Sequence, residues 1–383
     1  MNYNHPRKGG SAVTVRVACA IVFLAFTYLW LRFFQADVMA VAQHVLSGGK
    51  THFNYTIGPL LITALLMLVQ VFVDRLIRLR TTAHALTYVP SMLLLSLGST
   101  VNVDDGRVYS WQGWWWVVPL ILVAWAVCVW AFRQIQPLKS QQSVGLFSRP
   151  MWHNLLLMAL MMLMVAAVSN TDAVFHYRAH AEASLLRGDF DEALRTGERS
   201  HESDPSLTML RVYALSRSGQ LGEHLFNYPV SGTSDDLLPG SGQGQLLLYP
   251  ADSIYRHLGA RPVGTMSAIR FMDVLEQSGK ATRAVADYRL CALLVDRRLD
   301  DFVSQLLRYY PLNDSLPRHY REALVLYAHQ RSQPVVVYRD NVIETDYDDM
   351  QQLERTYADA TERKGKVMEK YAGSYWYYYK YRQ

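Results

Sequence analysis

The first 169 residues of this chain contain no glutamate at all, only four aspartates, and twelve lysines and arginines. Charged residues make up 19% of the whole chain, below the roughly 25% of ordinary soluble domains. Cysteine is also scarce. There are three, and Cys291 is the only one after residue 169, so no disulfide can form within the second half and a disulfide-stapled mini-protein is excluded. No segment shows the regular alternation of a sheet protein. What is present is apolar: half of the residues are hydrophobic, which excludes a disordered chain. The net charge of +5 divides into +8 for residues 1–169 and −3 for residues 170–383. The basic balance therefore belongs to one half only and does not indicate a nucleic-acid partner.

A hydrocarbon core about 30 Å thick needs around 20 apolar residues of helix. Ala12–Phe34, Ile57–Val73, Trp114–Phe132 and Met151–Ser169 meet that requirement, and His84–Val101, with Pro90 and several hydroxyls, is a fifth segment that either spans or re-enters. With five spans, Arg7, Lys8, Arg16, Arg75, Arg78, Arg80, Arg133, Lys139 and Arg149 fall on one side, against Arg32, Lys50 and Arg107 on the other. Four spans spread the charge more evenly. Positive residues collect on the cytoplasmic side, so the count favours five spans, a cytoplasmic N-terminus and an extracytoplasmic second half. Trp111, Trp114, Trp115 and Trp116 then lie at the outer interface. The first apolar run is too long for a signal peptide and lacks a small-residue cleavage site, so it reads as a retained span. No Asp, Glu, Lys or Arg lies in the middle of a span, which weighs against a pump or channel.

Residues 170–383 show short helical periodicities, which predict helices over 173–187, 190–201, 207–217, 264–278, 281–296, 299–309, 317–330, 346–358 and 361–372. Tyr177–Pro205 resembles a tetratricopeptide repeat: Gly188, Phe190, Ala193, Ser200 and Pro205 stand at the spacings of the turn glycine, the aromatic, the two small residues and the terminal proline, after Tyr177 and Ala181 at the early aromatic and small positions. On that pattern Pro205 stops the second helix. Later copies around Gly219 and Pro311 are degenerate. The fold expected is all-α: a bundle of five or four transmembrane helices (residues 1–169) followed by a tetratricopeptide-like α-solenoid (170–383). The phrases LLVDRRLDDF (293–302), LPRHYREALVLY (316–327) and YAGSYWYYYKY (371–381) further resemble an uncharacterised bacterial family whose members join a multi-pass membrane region to a tetratricopeptide-like tail. That resemblance implies no activity and no site residues.

Candidate functional residues are few. Ser231–Gly244 contains GSGQG without the strand and helix a phosphate loop needs, and reads as a flexible loop. The acidic run Asp340, Glu344, Asp346, Asp348 and Asp349 lacks the glycine and final glutamate of a calcium loop and reads as a helix start. Tyr375, Trp376, Tyr377, Tyr378 and Tyr379 either pack back on the helical array or form a contact surface for a partner. His44, His52, His84 and His153 have no metal-ligand spacing. The leading functional expectation is a non-enzymatic, membrane-anchored protein-interaction scaffold in the inner or plasma membrane, fitted to cell-envelope assembly. Its expected partners are the lipid bilayer and an envelope protein, with no nucleic acid and no cofactor. The alternative resembles membrane glycosyltransferases of the GT-C type, or an accessory subunit of one, with Asp37 in the first external loop as the candidate base or metal ligand.

Overall fold

The computed structural model describes residues 10–79, 81–100, 113–135, 148–313 and 315–381. Arg7, Lys8, Arg80, Arg107, Trp111 and Lys139 lie outside the described residues. The chain divides into two compact units, Met1–Thr171 and Asp172–Gln383. The described residues are mainly helical, and none forms a strand ladder.

The first unit contains α1 (Gly10–Leu29), which continues through a π-helical turn (Trp30–Phe34), α2 (Ala36–Leu46), α3 (Ile57–Ile77), a 3-10 run (Thr81–Tyr88), α4 (Val89–Ser99), α5 (Trp114–Ile135) and α6 (Arg149–Val168). Four helical stretches are long and apolar enough to cross a membrane: Val13–Phe34, Ile57–Ile77, Trp114–Gln134 and Arg149–Val168. The third helix passes the expected stop at Asp74 because that carboxylate finds partners inside the unit, His84 at 3.4 Å and Arg16 at 3.9 Å. It ends at Arg78, which takes a left-handed conformation (φ +52°).

The doubtful segment is broken in two. Pro90 sits in the first turn of α4, where its missing N–H does no harm, and the residues before it cannot extend the same α-helix backwards. The 3-10 run takes their place, with a non-helical kink at Ala83. Rises of about 2.0 and 1.5 Å per residue give the two pieces together roughly 32 Å. They lie antiparallel to α3: Gln70 donates to the Thr87 hydroxyl (3.0 Å) and the Ser91 hydroxyl to the Leu66 carbonyl (2.8 Å). The Phe23 and Tyr88 rings meet at 5.0 Å, and the Trp125 indole donates to the Leu86 carbonyl.

The two ends of the unit are distinct. At one end Asn154 accepts the Ala85 N–H (2.7 Å), Arg133 donates to the Ile77 carbonyl, and Asp74, His84 and Arg16 meet. At the other, Asn170 donates its N–H to the Ser99 carbonyl (2.8 Å) and Gln35 donates to the Asn170 carbonyl (3.3 Å). Residues 81–99 therefore run from the first end to the second, alongside α1 and α6, while α3 and α5 run back.

The second unit contains α7 (Ala173–Leu186), α8 (Phe190–Arg195), α9 (Pro205–Arg217), α10 (Leu221–His224), α11 (Ala251–Leu258), α12 (Ala268–Gln277), α13 (Ala284–Val295), α14 (Leu299–Tyr309), α15 (Arg318–Gln330), α16 (Asn341–Thr356), α17 (Ala360–Tyr371) and α18 (Tyr375–Tyr381). Aspartates cap α7, α8, α9, α16 and α17, each accepting main-chain N–H groups of the first turn. One apolar core runs from Ala181 to Tyr378. Contacts are not confined to successive hairpins, since α10 packs on both α13 and α15, and α15 on α18.

Candidate interaction surfaces

The C-terminal aromatics are placed by a carboxylate. Glu322, on α15, is 1% exposed. Its carboxylate accepts the Tyr375 N–H (2.7 Å), the Arg318 guanidinium (2.8 Å) and the His319 Nδ1–H (3.0 Å), while its main-chain carbonyl accepts the Trp376 indole (2.8 Å). His319 accepts the Phe226 N–H at Nε2 (3.2 Å), which fixes the neutral tautomer with its proton on Nδ1. Burial opposes ionisation of Glu322, but His319, Arg318 and the Tyr375 N–H outweigh it and hold the carboxyl below its ordinary range.

Tyr375, Trp376, Tyr377 and Tyr378 are buried as a result, and only Tyr379 is half-exposed. The Tyr375 and Tyr378 hydroxyls donate to the Leu294 and Val295 carbonyls, the last turn of α13. Of the two readings the structure has the packed one: four of the five are core residues and α18 lies on the helical array.

The repeat-like residues are brought together only in part. Gly188 (φ +78°) turns the chain between α7 and α8, Phe190 opens α8, and Ala193 is buried with Ala181. The second helix, however, ends at Arg195, so Ser200 is not helical, and Pro205 begins α9 instead of stopping α8. The reason is local. Thr196 is extended and Gly197 left-handed (φ +64°), and buried Arg211 donates to the Gly197 carbonyl (3.1 Å). A side chain at Gly197 would meet the Tyr177 ring at 2.8 Å.

The expected flexible loop at 231–244 is also corrected. It is wrapped around Asp236, 4% exposed, whose carboxylate accepts the Thr233 N–H (2.8 Å) and hydroxyl (3.1 Å) and the Gln243 (2.6 Å) and Gly244 (3.2 Å) N–H groups. The glycine-rich amides that might have held a phosphate already hold an internal anion. Glu182, the first glutamate in the chain, acts similarly: fully buried, it accepts the Leu247, Leu248 and Tyr249 N–H groups at 2.9, 2.5 and 2.7 Å. Burial pushes its pKa up, against the pull of these donors and of Arg178.

Asp37 lies in the first turn of α2, half-buried, and accepts the Tyr55 hydroxyl at 3.1 Å. His44 and His52 do not join it in a metal site; among the described residues no group of three His, Cys, Asp or Glu is placed to hold a metal ion. His153 lies on α6 and His84 against Asp74. Asp340 caps α16, as a helix start requires, and pairs with Arg321 at 3.0 Å. Ser216 and His257 are 2.9 Å apart, but among the described residues no carboxylate orients the imidazole, whose pKa is lowered by burial and by Arg217. A groove of about 480 Å³ is walled by Glu276, Arg283, Arg308, Tyr309 and Tyr310. Its acid is already neutralised from within, since Arg289 donates to Glu276 at 3.0 Å.

The segment Val335–Arg339, between α15 and α16, gave no signal above its surroundings in sequence, yet it alternates in exposure: Val335 85%, Val336 8%, Val337 64%, Tyr338 7%, with Arg339 exposed. Valine occupies both sets of positions, so hydropathy hides the period of two.

A model of a family of unknown function (DUF6057) matches residues 106–272 and 264–382, most of the chain, and the chain belongs to that family. No curated protein and no solved structure matches it.

Proposed function

Taking the chain as a member of a family of unknown function, we propose that it is a membrane-anchored protein-interaction scaffold that presents its second, tetratricopeptide-like unit outside the cytoplasm, in the inner or plasma membrane and in the service of envelope assembly. The observation that carries this reading is the sorting of charge between the two ends of the first unit. Arg16, Arg75, Arg78, Arg133 and Arg149 belong to helix ends on the side of Asp74 and His84, whereas the side of Ser99 and Asn170 has Arg32 and Lys50 among the described residues. Under the positive-inside rule the first side is cytoplasmic, and five traverses leave the second unit to start from the opposite face.

Apolar exposure supports the lipid setting. Leu60, Leu61, Leu65, Leu68, Phe72 and Leu76 of α3 are all more than half exposed, far more contiguous apolar surface than a water-soluble helix presents. Trp115 and Trp116, exposed at the start of α5, suit the outer headgroup layer. In the second unit buried carboxylates hold the C-terminal helix and two loops in place.

Reporter fusions after Lys50, Arg78, Ser148 and Gln383 test this. The expected result is cytoplasmic signal at Arg78 and Ser148 and extracytoplasmic signal at Lys50 and Gln383. A cytoplasmic signal at Gln383 overturns the reading.

A further inference from the structure

Residues 336–340 run without helix, turn or bend along a helical surface. Val336 and Tyr338 turn into the core, and Val335, Val337 and Arg339 turn outward. The chain shows no bend from Val336 to Asp340, and Asp340 itself is extended (φ −140°, ψ 104°). The Val335 N–H donates to the Tyr327 hydroxyl (3.3 Å). Among the described residues the main-chain groups of Val336, Val337 and Arg339 have no hydrogen-bond partner. In an extended chain alternate residues direct their N–H and C=O to the same edge, so Val337 and Arg339 share an edge with Val335, whose N–H Tyr327 takes, and leave their own groups open among the described residues. Such an edge is a template for a second strand.

We propose that Val335–Arg339 is a strand-addition site for an extended segment of another protein, with a β-branched or apolar side chain facing Val337 and an acidic one facing Arg339. This deepens the scaffold reading and rests on it only for the compartment in which the partner is met. Charge selects the occupant. Arg339 is exposed and has no ion pair among the described residues, whereas the neighbouring Arg321 and Arg331 are paired with Asp340 and Asp300. A second copy of this chain is a poor occupant: antiparallel pairing about Val337 sets Arg339 across from Val335, and parallel in-register pairing stacks Arg339 on Arg339. Lipid is a poor occupant too, because hydrocarbon cannot satisfy the free main-chain groups. Strand addition takes its affinity from those groups and its selectivity from the outward side chains.

The test uses the full-length protein in detergent and two fluorescent peptides of about ten residues, the length of an ordinary strand, alternating valine and threonine. One carries a central aspartate and the other a central lysine. The aspartate peptide is expected to bind about tenfold tighter than the lysine peptide, and Arg339→Glu to reverse that order. Val337→Pro, which removes an edge N–H at an exposed side chain, is expected to abolish binding of both without moving the melting temperature. If that variant unfolds, the Arg339→Glu reversal decides alone. Absence of binding, equal affinity for the two peptides, or dimerisation of the free protein lost in Val337→Pro overturns the proposal. Each of these results is independent of the reporter topology, so failure here and failure of the scaffold reading are told apart.

Discussion

The Glu322 carboxylate accepts the main-chain N–H of Tyr375 at 2.7 Å, joining the middle of α15 to the start of α18. The same carboxylate is satisfied by Arg318 and His319, so one buried acid fixes the last helix, a histidine tautomer and, through His319, the Phe226 main chain. A buried charge with this many donors is worth little as an isolated pair but much as a locator, because removing it strands every donor at once.

Glu322→Ala is therefore expected to destabilise the second unit by about 3–5 kcal/mol, the loss usual when one partner of a buried pair is removed. Limited proteolysis of the variant should release the segment after Ala372 well below the melting temperature of the wild type.

Glu322→Gln keeps the shape but not the charge, and its effect is expected to depend on pH. The folded-state pKa of Glu322 lies below its unfolded value, so its ionisation stabilises fully above the unfolded value, about 4.3, and the contribution disappears as pH falls through the folded value. The melting-temperature gap between wild type and Glu322→Gln should be widest near pH 7 and close on acidification below about pH 4. A gap that widens toward acid would contradict the assignment.

Asp236→Ala leaves the Thr233, Gln243 and Gly244 N–H groups without their acceptor. A loss of about 1–3 kcal/mol is expected. New protease sensitivity should be confined to residues 231–244. Gly242→Ala should act in the same direction, since its Cβ would overlap the Asp236 carboxylate.

Asn154→Leu removes the acceptor of the Ala85 N–H at the start of the broken traverse. Side-chain hydrogen bonds inside membrane bundles average about 0.6 kcal/mol, so a small fall in thermal stability in detergent is expected, with topology unchanged. A flipped reporter signal after Gln383 in this variant would mean that the 81–99 segment depends on Asn154 for its direction.

Asp37→Ala loses the hydrogen bond donated by the Tyr55 hydroxyl. Stability should change by no more than about 1.5 kcal/mol, and envelope glycans should be unaltered. Loss of a glycan species in the variant would revive the glycosyltransferase alternative.

Much of the helical framework was legible. The window Leu299–Tyr309 is the same residue for residue in sequence and structure, because its apolar positions fall on one face and Asp300 and Asp301 mark its first turn. The apolar stretches were legible for the same reason: composition along the chain is a local property. Misreadings arose where a distant residue decides. Nothing near Gly197 reveals that Arg211 will bind its carbonyl, so α8 looked longer than it is. Nothing within GSGQG reveals that Asp236 fills it, and nothing within the C-terminal aromatics decides between packing back and facing outward, because the acceptor that places them is Glu322 on a distant helix.

By itself the sequence determined which helices are apolar enough for lipid, where charge of each sign collects, and that the regular structure of the described residues is helical, since these follow from transfer free energies and propensities summed over neighbours. Tertiary structure alone decided that residues 81–99 run the full depth of the first unit, that Tyr375, Trp376, Tyr377 and Tyr378 face the core, and that the valines at 335–337 alternate between surface and core. Each of those depends on hydrogen-bond partners brought together from separate helices, and a list of residues carries no record of which groups will meet.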